Sequence, residues 1–207
     1  MTAIYHITHI QNLPNIIKDG GLWCDREVAQ RNLAHIGIAH QHIKDRRAQK
    51  PIPSKPGAMV ADYVPFYFAP RSPMLYSIHH GYVQGYQGGQ SAILHIVASA
   101  ENVANAGLPF TFTEGHAEMD ISQFYTDLRD LDMIDWDIMA SRYWNDTNQD
   151  GDRKRRRQAE FLVHHFFPFG LVESIGVINP AMALQVTGLL QQLAKKPVVQ
   201  VEPAWYY

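Results

Sequence analysis

Residues 62–76 read Asp62-Tyr63-Val64-Pro65-Phe66-Tyr67-Phe68-Ala69-Pro70-Arg71-Ser72-Pro73-Met74-Leu75-Tyr76. The run Val64 to Phe68 has the aromatic and β-branched make-up of a strand, and its proline suggests an edge or first position, because proline cannot donate to a ladder. The period then changes. Pro73 suits the first turn of a helix, and Met74, Leu75 and Ile78 follow as its apolar positions.

Working outward, strand and helix signals recur without strict alternation. Toward the N-terminus, Ile4-Tyr5-His6-Ile7 is β-like, Thr8 offers a helix cap, Leu13, Ile16 and Ile17 have helical spacing, and Gly20-Gly21 ends that helix. Residues 24–50 are polar and carry His35, His40, His42, Arg46 and Arg47, and the Pro-rich segment 51–57 predicts a loop. Toward the C-terminus, Ala92 to Val97 predicts a buried strand, and Phe110 and Phe112 predict another. Ile121, Phe124, Tyr125, Leu128 and Leu131 predict a helix within 121–144. Ala159 to Phe167 is apolar enough for strand or helix. Ile175–Ile178 predicts a strand, 181–194 a helix, and Val198–Val201 a last strand. The fold class that fits this order is α+β.

The chain has 207 residues, a length that favours one domain spanning 1–207. Apolar residues make up 46% and charged residues 18%, which permits a packed core. One cysteine, Cys24, excludes a disulfide framework or a Cys-rich zinc module and fits a reducing cytoplasm. No apolar run reaches the roughly 18 residues of a membrane span. The opening MTAIYHITHI lacks the features of a signal peptide.

The net charge of -2 hides a strong asymmetry. Residues 1–100 carry a net +4, residues 101–152 a net -10, and Arg153 to Arg157 carry +5 in five positions. Such a run is either a solvated face or a patch for phosphates.

Phosphate-loop, nucleophile-elbow and zinc-protease motifs are absent from the sequence. Asp146 to Gly151 matches the first half of an EF-hand loop, but Arg157 stands where that loop needs a bidentate glutamate, so no metal is expected. His35, His40 and His42 read as surface histidines, and His164-His165 as neighbours alternating between the faces of one element. Glu160 is the exception in its surroundings. A glutamate opening the apolar run Phe161-Leu162-Val163 calls for an ion partner or a chemical role.

Five strings in chain order then resemble one family. YHITHI (5–10), DYVPFYFAPRSPMLY (62–76), YQGGQ (86–90), GLPFTFT (107–113) and RQAEFLV (157–163) are similar to the DarT toxins of toxin–antitoxin pairs. The stretch 144–157 departs from that pattern. The resemblance implies an ADP-ribosyltransferase fold, with a split, bent β-sheet core and flanking helices. It also implies transfer of ADP-ribose from NAD⁺ to a base in single-stranded DNA, with thymidine N3 as the acceptor in the branch that this motif set is closer to. ADP-ribosylation of protein or RNA is an alternative, and a catalytically decayed DNA- or nucleotide-binding module is another. Retention of Glu160 and Arg47 argues against decay.

Position by position, the resemblance makes Glu160 the catalytic glutamate and Arg47 the second catalytic residue, which also contacts NAD⁺. It places His6, Ile7, Thr8 and Tyr67 on NAD⁺, and residues near 28–46 in a loop covering it. It sets Met74 and His116 at the acceptor. Charge adds Arg71, Arg153, Arg155 and Arg156 as candidate DNA contacts. The partners implied are single-stranded DNA and a macrodomain antitoxin of DarG type. A monomer that needs no metal and has no membrane contact is expected.

Overall fold

The computed structural model describes residues 1–55 and 57–207; Pro56, within the predicted 51–57 loop, lies outside the described residues. The strands are β1 (Ala3–His9), β2 (Gly21–Trp23), β3 (Tyr63–Tyr67), β4 (Ile93–Ser99), β5 (Phe110–Thr113), β6 (Phe124–Tyr125), β7 (Glu160–His164), β8 (Phe166–Pro168), β9 (Ser174–Val177) and β10 (Val198–Val201). The helices are α1 (Leu13–Lys18), α2 (Asp25–Gln30), α3 (Gln41–Arg47), α4 (Pro73–His79), α5 (Ala100–Asn105), α6 (Trp136–Ala140), α7 (Arg153–Arg156) and α8 (Pro180–Leu189). Eight strands join in the order β10-β9-β4-β1-β3-β7-β5-β6, and β2 pairs with β8 in a separate ribbon. The fold class is α+β, as expected.

The large sheet is split near its middle. β1 pairs with β4 along its whole length, and β3 pairs with β7 along its whole length. β1 and β3 meet in register only at Tyr5 opposite Tyr67. In the opening, His6 Nδ1 donates to the Pro65 carbonyl at 2.8 Å. A strand residue turns its N and its O toward the same neighbour. The donor that Pro65 lacks therefore faces the opening and costs no ladder bond. Pro65 marks the seam of a split sheet and not an edge strand, which corrects the sequence reading.

β4 is buried at all seven positions. Its own Leu94 and, on other strands, Ile4, Phe66, Phe161 and Phe167 are shielded completely, each burial stabilising the fold by about 1.5–3 kcal/mol. Three further local expectations fail for physical reasons. Thr8 stays in β1, where its hydroxyl accepts from Asn12 Nδ2 at 3.1 Å; His9 Nδ1 caps the next turn by accepting from Gln11 N–H. The helix expected within 121–144 breaks into β6, a 3₁₀ turn over Leu128–Met133, and α6. Asp127 and Asp135 each accept a backbone N–H and start separate turns, as aspartates do when they compete with a continuous helix. His164 and His165 do not share one element either. β7 ends at His164, and His165, at φ 59°, turns the chain into β8.

The C-terminal residues fasten onto the sheet. Tyr206 Oη donates to the Ile93 carbonyl at 2.7 Å, and Trp144 Nε1 donates to Tyr207 Oη at 3.0 Å.

Candidate active site

Glu160 opens β7 opposite Tyr67 of β3 on one side and Thr113 of β5 on the other. Its side chain is only 4% exposed. A carboxylate at that depth requires partners, and it has them. Oε2 accepts from Arg47 Nη1 at 2.7 Å, and Oε1 accepts from the Ala117 N–H at 3.2 Å.

Arg47 reaches Glu160 from the last turn of α3 and is itself buried. Burial works against its charge, but Glu160 outweighs burial and holds the guanidinium above its ordinary value. Its Nη2 has no hydrogen-bond partner among the described residues, so one buried donor beside Glu160 is unspent. Burial, and then the charge of Glu160, push the Tyr67 phenol up, so it stays protonated.

His116 lies 3.8 Å from Glu160 Oε1 through its Nδ1. Burial lowers its pKa more than Glu160 raises it, so the ring is neutral at pH 7. Nδ1 accepts from the Glu118 N–H at 3.2 Å, which leaves the ring proton on Nε2.

The turn carrying His116 and Ala117 is braced by the basic run. Arg155 packs against Gly115, where any side chain would collide with its guanidinium. Arg155 Nη1 pairs with Glu114 at 2.7 Å and its Nη2 with Asp152 at 2.7 Å. Arg156 pairs with Asp135 at 2.8 Å and with Asp150. Arg153 donates to the carbonyls of Asn145 and Tyr143. The basic run thus neutralises part of the acidic segment within the molecule. Neither sequence reading of it, solvated face or free phosphate patch, describes Arg155 or Arg156.

A cleft opens at the sheet seam. His6, Ile7 and Thr8 from β1, together with Tyr67 and Met74, line it. Residues 33–39 cover it, inside the stretch expected to form a lid. Burial pushes the His6 imidazole down toward its neutral form. Two residues that sequence reasoning missed hold the lid. Asn12 accepts from the Ile36 N–H at 2.7 Å and donates to the Ile36 carbonyl at 3.0 Å, and Asn15 donates to the Ala34 carbonyl at 3.0 Å. An Asn four residues after Thr8 carries no local signal of a partner 24 positions away. Tyr67 links cleft and carboxylate, because it lines the one and pairs across strands with the other. Arg71 lies outside this cleft, in a second cavity beside the C-terminal residues. Among the described residues no group of three or more His, Cys, Asp or Glu is gathered as metal ligands are.

A family model described as "ssDNA thymidine ADP-ribosyltransferase, DarT" matches residues 5–207. The chain belongs to the DarT family. A DNA ADP-ribosyl transferase of Thermus sp. (strain 2.9) is 42% identical over 100% of this chain and 96% of its own length. One of Escherichia coli O127:H6 is 34% identical over 99% of this chain and 93% of its own. Among solved structures, Thermus sp. 2.9 DarT in complex with ADP-ribosylated ssDNA superposes with a TM-score of 0.92, at 42% identity, over 100% of this chain and 96% of that one. The same DarT in complex with NAD⁺ gives 0.87 at 39% identity, over 100% and 98%. The family drawn from five short strings and the ADP-ribosyltransferase fold it implied are both borne out. Among the described residues no helix is long and apolar enough to cross a membrane.

Proposed function

We propose that this DarT-family chain transfers ADP-ribose from NAD⁺ to N3 of thymine in single-stranded DNA. One observation carries the reading: the buried Arg47–Glu160 pair stands one strand from a cleft lined by His6, Thr8 and Tyr67, with a donor of Arg47 left unspent. Unspent buried donors beside a mostly apolar cleft with a few convergent polar groups are what a bound dinucleotide satisfies.

Bound NAD⁺ supplies a ribose carbon whose bond to nicotinamide breaks with oxocarbenium character as the N3 bond forms, releasing nicotinamide and the N3 proton. Glu160 supplies negative charge where that cation develops, and Arg47 and the Ala117 N–H hold the carboxylate in place. His6, Ile7 and Thr8 seat the dinucleotide, and the ring of Tyr67 stacks on nicotinamide. Arg47 is too basic to accept a proton. Arg47 Nη2 and His116 Nε2–H are both donors, suited to the carbonyls that flank N3 and make its proton more acidic. Met74 lines the acceptor side. N3 lies on the Watson–Crick edge, so the base must be unpaired.

Residues 1–207 form one such domain, acting as a monomer in the cytoplasm with a macrodomain hydrolase of DarG type as its antitoxin. The test is incubation with NAD⁺ and matched thymine-containing DNA strands, DNA duplex, RNA and carrier protein, followed by mass spectrometry of each. Modification of the single DNA strand alone is expected. Equal modification of the duplex, or modification of RNA or protein in its place, overturns the reading.

A further inference from the structure

Arg71, Arg142 and Arg157 line one cavity with Ser141, Tyr206 and Tyr207. The cavity stands apart from the dinucleotide cleft but at the same end of the sheet. Arg71 follows Tyr67 by four positions and Arg157 precedes Glu160 by three, and Tyr67 and Glu160 are cross-strand partners.

These guanidiniums differ from the others near the site. Arg47, Arg155 and Arg156 each meet a carboxylate. Among the described residues, none of the three in this cavity does. Arg157 is 3% exposed and donates only to carbonyls, those of Arg71, Ile138 and Met139. Its full charge is therefore buried without a counter-ion, and burial together with the nearby Arg71 charge depresses its pKa. Arg71 lies over the ring of Tyr207 at 4.3 Å, and its Nε is shielded from solvent with no partner. Of the three, Arg157 is buried, Arg71 half-buried and Arg142 exposed, and a buried cation without a counter-ion is costly unless an anion approaches it.

The Arg71 backbone is also fixed in place. Its carbonyl accepts from Arg157 Nη2 at 3.0 Å and from Tyr207 Oη at 3.0 Å. Arg157 is thus a brace that adds charge, and Arg71 is the side chain with free donors. An aromatic strip continues outward from Tyr207. Tyr76 meets it edge-on at 5.1 Å, His80 lies against Tyr76 at 4.1 Å, and exposed Tyr82 follows. Tyr207 and Tyr76 are half-buried, and His80 and Tyr82 are exposed; cations beside accessible aromatic rings form the usual arrangement for an unpaired nucleic-acid strand.

We propose that this cavity is a phosphodiester subsite, in which Arg71 grips a backbone phosphate of the DNA strand next to the thymidine being modified. The proposal rests on the DNA reading above. It assigns strand positioning to Arg71 and Tyr207, and it makes an isolated thymidine, which has no neighbouring phosphate, a poor acceptor.

The experiment uses thymine-containing single strands in which one linkage at a time is a neutral methylphosphonate, with wild type, Arg71→Ala and Arg71→Gln. In wild type, one linkage beside the thymidine should matter most, lowering kcat/KM by roughly 10-fold or more, the size of one charge-assisted hydrogen bond. In both Arg71 variants that sensitivity should vanish, and the salt slope of strand binding should fall by about 0.7. Both variants remove the guanidinium that lies over Tyr207, and Arg71→Gln keeps the stem and an amide donor without the charge; agreement between them ties the lost sensitivity to the charge and not to the stem. Modification by wild type with no sensitive linkage overturns the subsite and leaves the proposed reaction standing, whereas no modification of the unaltered strand overturns the reaction itself. Thermal stabilisation of wild type by inorganic phosphate, lost in Arg71→Ala and without any sensitive linkage, would make the cavity a free-anion site and also overturn the proposal.

Discussion

Arg47 donates to Glu160 at 2.7 Å although 113 positions separate them, and both side chains are buried. Removing one partner strands the other's charge. Glu160→Ala should destabilise the fold by about 3–5 kcal/mol, whereas Arg47→Met with Glu160→Ala should cost less than the two single changes combined. Urea denaturation of the four proteins checks this. Strict additivity would show that the pair is not coupled.

His116 sets an acid limit on activity. Its Nδ1 accepts from the Glu118 N–H, which requires an unprotonated Nδ1. Its pKa lies below the ordinary 6.5 because of burial, so the ring stays neutral at pH 7 and protonates only in more acid solution. Protonation breaks that bond and loosens the turn over Glu160. The rate should be flat from pH 8 to 7 and fall below 6.5, and His116→Asn should lose that acid limb. A limb unchanged in the variant would assign it to another group.

His95 gives the fold its own pH dependence. Its side chain is completely buried, Nε2 donates to the Pro70 carbonyl at 3.0 Å, and Nδ1 has no partner among the described residues. Burial lowers its pKa to about 4. The unfolded chain therefore binds this proton more readily than the folded one. The stability is fully present above pH 6.5 and is lost as pH falls from 6.5 through 4, by roughly 3 kcal/mol in total. Between pH 7 and pH 4.5 the denaturation midpoint of wild type should fall by more than that of His95→Gln, so the difference between the two shifts in the variant's favour as pH falls. Parallel curves would contradict the assignment.

Asn12 holds the lid by two hydrogen bonds to Ile36. Asn12→Ala should raise KM for NAD⁺ by roughly 30-fold or more while kcat changes little, since the two lid bonds, of roughly 1 kcal/mol each, and the bond to Thr8 are lost before chemistry begins. Steady-state kinetics separates the two constants, and a fall confined to kcat would tie Asn12 to the chemical step instead.

Much of this was legible in the sequence where one residue type spoke alone. Glu160 announced itself by interrupting an apolar run, and β1, β4, β5, β9 and β10 followed from apolar strand patterns. What local pattern could not carry was pairing at a distance. Nothing around Arg155 says that its charge turns inward to Glu114, 41 positions earlier. Asp127 and Asp135 sit at helical spacing among apolar residues, yet act as caps that divide the segment. The donor that Pro65 lacks is visible in the sequence, but its place at a seam depends on where β1 diverges from β3.

The most direct measurement of the central claim is transfer of ADP-ribose to a thymine-containing single strand by wild type and by Glu160→Gln, with NAD⁺ affinity measured in parallel. Glutamine keeps the shape and removes the charge. The account predicts that kcat falls by about 10²–10³-fold or more while NAD⁺ affinity changes by less than about 10-fold, because the lost interaction belongs to the transition state. Near-normal kcat in the folded variant would contradict it.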